Sequence, residues 1–140
     1  MGDEYDANCN CVGSSGSTFA LHPIDDAYLQ SGRRVNNAEL RTENDRRISY
    51  LKFDVSGAAA TYSSAKLELT VGSDEGHGTL SVYYNGDDNW TENNLSTSNA
   101  PDPLTKVGSF EGSFSSGQTF EADLRLSAND DVFTLSLIHI

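Results

Sequence analysis

Positive charge is what this sequence has least of. Nine lysines and arginines stand against 21 aspartates and glutamates, a formal net charge of −12 over 140 residues. A nucleic-acid partner requires a basic surface that neutralises phosphates and releases counterions, so that class is excluded. Long apolar runs are also missing. No stretch approaches the roughly 20 apolar residues of a membrane-spanning helix. Met1 to Asp6 is acidic and has no apolar core, so no secretory signal is visible; an exported protein would here be a mature form or a fragment. Catalytic constellations are absent as well. His22, His77 and His139 lie far apart, and nothing has the spacing of a nucleophile elbow, a phosphate loop or a zinc site. The expectation is a protein that is not an enzyme and requires no cofactor.

What is present is a chain of one-domain size with strand-like text. Hydrophobic residues make up only 36%, while Gly, Ser, Thr, Asn and Asp are plentiful. A β-sandwich suits that mix, because each strand buries alternate residues and its many turns take small polar ones. Residues 1–17 differ from the rest. Asp3 to Val12 is acidic and carries Cys9-Asn-Cys11, and Gly13-Ser-Ser-Gly-Ser17 has the composition of a flexible linker. The division expected is an N-terminal extension and Gly/Ser linker over 1–17 and a sandwich domain over 18–140.

From Thr18 onward, short strand candidates recur at Phe19–His22, Ala27–Gln30 and Ala38–Arg41. Ile48–Val55 and Ala65–Val71 alternate most clearly. Thr79–Tyr84 is expected to pair with Ala65–Val71 as a hairpin, and a polar loop over Asn85–Pro103 follows. Strands resume at Thr105–Phe110, Thr119–Leu124 and Val132–Leu137, with a helical turn expected over Leu124–Ala128. Eight or nine short strands with turn signals between them indicate an all-β, two-sheet sandwich of jelly-roll type behind an extended N-terminal tail. Leu135–Ile140 reads either as a genuine final strand or as the translation of a sequencing adapter, in which case the natural chain continues differently.

The runs Asp25-Asp-Ala-Tyr-Leu29, Arg46-Arg-Ile-Ser-Tyr-Leu-Lys-Phe-Asp-Val-Ser-Gly57 and Ala65-Lys-Leu-Glu-Leu69 resemble the DNRLRE-type β-sandwich domains. Those domains are related to carbohydrate-binding modules that include alginate binders. In the long loop, Asp88-Asn-Trp-Thr-Glu-Asn-Asn-Leu95 and Asn99-Ala-Pro101 are similar to that family's signature of Trp-Thr-Glu followed by Asn-Ala-Pro. The resemblance spans roughly Phe19 to Leu137 and implies a jelly roll of secreted and cell-surface proteins. One departure stands in the signature: Ser96-Thr-Ser98 replaces the second tryptophan usual between Leu95 and Asn99.

Candidate site residues follow. Trp90 with Tyr84 offers aromatic faces for stacking on sugar rings, although a lone tryptophan in a sandwich also serves as a packing anchor. Tyr83 and Tyr84 face opposite sides of their strand, so at most one joins that platform. Arg33, Arg34 and Arg41, with Arg46 and Arg47, are five basic residues within fifteen positions, suited to a carboxylated polysaccharide or an acidic face of another copy; pairing with Glu39, Glu43 and Asp45 is their ordinary surface role. Asp25, Asp26, Asp87 and Asp88 are candidates for a structural Ca²⁺, which takes hard oxygen ligands; as adjacent pairs they also suit turns. Asn89 and Asn94 begin Asn-x-Ser/Thr sequons, so they are glycosylation candidates.

Cys9 and Cys11 stand too close for an easy mutual disulfide, which leaves intermolecular bonding, a strained local bridge or free thiols. An acidic tail on a flexible linker gains order only by docking, and a neighbouring copy is the obvious dock. The leading expectation is therefore an extracellular or cell-surface structural subunit that self-assembles into a fibre or oligomer, with Tyr5, Cys9, Cys11 and Val12 in the joining segment. The alternative is a carbohydrate-binding module for an extracellular or cell-wall polysaccharide.

Overall fold

The computed structural model describes residues 3–13, 18–35, 40–42, 46–55, 62–72, 75–125 and 132–139. Those residues form eleven strands: β1 (Asp3–Gly13), β2 (Thr18–Leu21), β3 (Asp25–Gln30), β4 (Arg33–Val35), β5 (Leu40–Thr42), β6 (Arg47–Asp54), β7 (Tyr62–Val71), β8 (Gly76–Asn85), β9 (Thr105–Phe114), β10 (Thr119–Leu124) and β11 (Val132–His139). One sheet has the order β10-β7-β1-β2, with β5 also paired to β1, and the other has the order β4-β3-β6-β11-β8-β9. This is the expected all-β, two-sheet sandwich.

Alternation builds the core between the sheets. Leu67, Leu69 and Val71 of β7 face Leu51 and Phe53 of β6, Leu80 and Val82 of β8, and Phe133, Leu135 and Leu137 of β11 across one continuous apolar cluster. Burying each such side chain contributes about 1.5–3 kcal/mol. β6 departs from the half-buried pattern. Its second face, with Tyr50 and Lys52, is buried as well. A smaller cluster of Ala27, Leu29, Tyr50, Trp90 and Leu95 lies on that outer face, where the loop after β8 covers the sheet.

Two connections differ from the sequence expectation. β7 and β8 do not form a hairpin. Both ladder edges of β7 are taken by β1 and β10, and those of β8 by β11 and β9, so the chain crosses between sheets after Val71. The acidic segment expected to join a neighbouring copy is β1 of its own sheet. It pairs with β7 from Tyr5 to Gly13, and its other edge meets β2 and β5. Most of the backbone that would template a second chain, Asp3–Tyr5 and Cys9–Val12 on that second edge, is thus matched inside this one. Tyr5, Cys9, Cys11 and Val12 stand opposite Val71, Leu67, Ala65 and Ser64 in that ladder. The expected disulfide chemistry of Cys9 and Cys11 concerns side chains outside the described ones. The linker at 14–17, the acidic partners Glu39, Glu43 and Asp45, and the helical turn beyond Arg125 also lie outside the described residues.

Candidate ligand-binding cleft

The loop over residues 86–104 is fixed to the outer face of the six-stranded sheet by a connected polar network. Lys52 and Asp25 sit opposite each other on β6 and β3, with Nζ 3.1 Å from Oδ2. Lys52 Nζ also donates to the Trp90 carbonyl and lies 5.2 Å from the centre of the Trp90 ring. Asp25 Oδ1 accepts the Glu92 amide at 3.0 Å. Trp90 Nε1 donates to Thr134 Oγ1 at 2.8 Å, and that hydroxyl donates to the Asp87 carbonyl at 2.8 Å. Every charge beneath the loop therefore has a partner, as burial requires.

The loop signature has a local physical basis. Asn94 Oδ1 accepts the Thr91 amide at 2.6 Å, and Asn99 Oδ1 accepts the Ser96 amide at 2.7 Å. Asn99 Nδ2 returns a bond to the Asn94 carbonyl at 3.0 Å. These side chains imitate backbone turn bonds and set two successive tight turns, delivering Ala100 and Pro101 onto the sheet.

Between that loop and the strands lies a cleft of about 570 Å³, lined by Leu29, Ser31, Gly32, Arg46, Ile48, Tyr50, Thr97, Ala100 and the run Pro101, Asp102 and Pro103. The β3–β4 turn shapes one wall. Ser31 and Gly32 both have positive φ (50° and 82°), as a two-residue hairpin turn of the mirror-image type demands. A Cβ on Gly32 would stand 3.2 Å from Thr97 Cγ2, so glycine also admits the loop. Tyr50 meets the Trp90 ring edge-on at 6.1 Å. Burial, and secondarily the Asp102 charge, raise its phenol pKa above the ordinary 10.0. The hydroxyl thus remains a hydrogen-bond donor at neutral pH. An apolar floor, proline faces, a phenol, a guanidinium and a carboxylate together suit a polyhydroxylated ring with C–H and O–H surfaces.

The structure distributes the expected site residues differently. Trp90 is completely buried, so it presents no ring face for sugar stacking and anchors the loop instead. Tyr84 packs into the main core, 5.6 Å from the Phe133 ring, which removes the second half of the expected platform. Arg33 and Arg34 are exposed on edge strand β4, where Arg34 Nη1 donates to the Glu92 carbonyl at 3.1 Å. Arg41 is on β5 of the other sheet, and Arg47 Nε bonds Gln30 Oε1 at 3.2 Å. Of the five arginines, Arg46 is the one lining the cleft.

Of the four aspartates, Asp25 is committed to Lys52 and Glu92, Asp26 pairs in register with Leu51 one position along, Asp87 Oδ1 accepts both the backbone and side-chain nitrogens of Asn89 at 3.0 Å, and Asp88 is exposed in the loop. Among the described residues, no group of three His, Cys, Asp or Glu is placed to hold a metal ion. Asn89 and Asn94 are exposed. In the sequence, Tyr50 and Asp102 carry no signal of a site beyond the neighbouring Asn99-Ala-Pro101 and the strong β6 strand.

No curated protein and no solved structure matches the chain. A family model described as carbohydrate-binding module family 96 matches residues 17–125, well over half of the sequence and all of the loop and cleft, and the chain belongs to that family.

Proposed function

We propose that the protein is a non-catalytic module that holds a polysaccharide outside the cell, in the cleft between the 97–103 loop and the outer face of β3 and β6. One observation carries the reading: a cleft with an apolar floor, in which Tyr50, Arg46 and Asp102 gather, lies wholly within the span that matches a carbohydrate-binding family. Sugar hydroxyls take bidentate or charge-assisted bonds from such groups, while ring C–H faces pack on Pro103 and Ile48. The alternative expectation is thereby favoured. Self-assembly through residues 1–17 draws no support, because β1 pairs on both sides within its own chain.

Affinity electrophoresis and calorimetry against a panel of polysaccharides test the proposal with the double variant Arg46→Ala/Asp102→Asn. Two charged hydrogen bonds contribute about 1.5–3 kcal/mol each, so affinity should fall by at least about a hundredfold while melting temperature stays near wild type. Wild-type affinity in the double variant, with a normal circular dichroism spectrum, would remove the cleft as the site.

A further inference from the structure

The two sheets meet at a second polar cleft, where edge strand β9 of one lies against edge strand β10 of the other. It measures about 570 Å³ and is lined by Lys106, Val107, Gly108, Ser109, Asp123 and Arg125. Three features show that it is built into the fold. Opposite Val82 and Tyr83 of β8, β9 carries a bulge: Val82 pairs with Gly108 and Tyr83 with Lys106, which leaves Val107 as the extra residue. Bulges bend an edge and re-aim its side chains. The carbonyl of that extra residue accepts the Arg125 amide at 2.9 Å, which ties the end of β10 to the bulge. Gly108 then permits the close approach, since a Cβ there would stand 2.9 Å from the Asp123 carbonyl oxygen.

Charge gives this cleft its character. In a chain of net charge −12, Lys106 and Arg125 line it together. Both are exposed, and neither has a carboxylate partner among the described residues. Asp123, the one acid of the cleft, lies 4.0 Å from Lys66. Cations left unpaired in so acidic a molecule are free to meet a ligand anion, and Ser109 and Asp123 stand beside them as hydroxyl partners.

We infer that this junction is a second ligand site, taking the anionic group of an acidic sugar, a ring carboxylate or sulfate, on Lys106 and Arg125, with the neighbouring ring hydroxyls on Ser109 and Asp123. It rests on the carbohydrate reading for the class of ligand and not on the first cleft.

Amide chemical shifts of the full chain are followed during titration with oligogalacturonate, with a sulfated galactan oligomer and with neutral cellohexaose. Shifts centred on residues 106–109 and 123–125 are expected with one or both acidic oligomers, and the arm that produces them identifies the anion. Lys106→Gln and Arg125→Gln, each exposed and tested separately, should weaken that binding about tenfold, and added salt should weaken it further. Arg46→Ala/Asp102→Asn should leave these shifts unchanged, so the two sites fail independently. Absence of shifts at the junction with both acidic oligomers, equal shifts with cellohexaose, or undiminished affinity in both glutamine variants would overturn the assignment.

Discussion

Replacing Trp90 by alanine separates an anchor from a stacking platform. The indole is fully buried, spans the second apolar cluster with Leu95 and Tyr50, and donates its Nε1 hydrogen to Thr134. Truncating a buried tryptophan costs about 3–5 kcal/mol through lost transfer energy and the cavity left behind. Two groups then lose a neighbour: Lys52 no longer lies over an aromatic face, and Thr134 Oγ1 loses a donor. A value near the upper end, about 4–5 kcal/mol, follows, against a total stability of about 5–15 kcal/mol for a domain. At roughly 3 °C per kcal/mol for this size, the melting temperature should fall by about 12–15 °C. Trp90→Phe keeps the ring contact but loses the hydrogen bond, and should cost about 1–2 kcal/mol.

Urea unfolding measures both variants. Because Trp90 is the single tryptophan, its intrinsic fluorescence adds a direct test in the wild-type protein. Emission should be blue-shifted, resist quenching by iodide, and gain no further protection when glycan is added. Alanine at position 90 with wild-type stability but lost glycan binding, or strong quenching relieved by ligand, would refute the anchoring argument.

Lys52→Met leaves the Asp25 carboxylate without its cation and the Trp90 carbonyl without its donor; the expected loss is about 3–5 kcal/mol. In a double-mutant cycle with Asp25→Asn, the two losses should be strongly non-additive, and additive losses would show that the pair does not act as a unit. Tyr50 should be among the last tyrosines to ionise in an alkaline absorbance titration, because burial and the Asp102 charge raise its pKa. Its folded pKa exceeds the unfolded 10.0, so its contribution is fully present below pH 10 and lost as pH rises through the folded value. Asp102→Asn should shift the Tyr50 transition downward, and an unchanged transition would remove Asp102 as a cause.

Period-two alternation was enough to identify most of the strands. Ala65–Val71 alternates because one face is buried and the other is not, a local pattern, whereas Val132–Leu137 alternates apolar with small polar residues although Thr134 and Ser136 on its second face are buried too. The same signal was available in Tyr5-Asp-Ala-Asn-Cys-Asn-Cys11, where apolar and polar residues alternate, but acidity and the following Gly/Ser run argued for a tail. Which strands pair is a different kind of information. The Ala65–Val71 and Thr79–Tyr84 segments have compatible patterns and a short connection, yet belong to opposite sheets because β1, β9, β10 and β11 occupy their ladder edges. No property of either segment alone encodes that competition.

The clefts show the same division. Composition and the loop signature were sufficient for an all-β binding domain, since turns, alternation and side-chain capping are short-range. The direction in which Trp90 points was decided only by tertiary structure. Thr134, Lys52 and Asp25, 44, 38 and 65 residues away in sequence, draw the indole and its loop down onto the sheet. That packing withdraws the residue best suited to stack on a sugar and raises Tyr50, Arg46 and Asp102 around the space beside it. Burial is a property of the assembled sheet and its covering loop, so the aromatic count alone did not distinguish a buried anchor from an exposed ring.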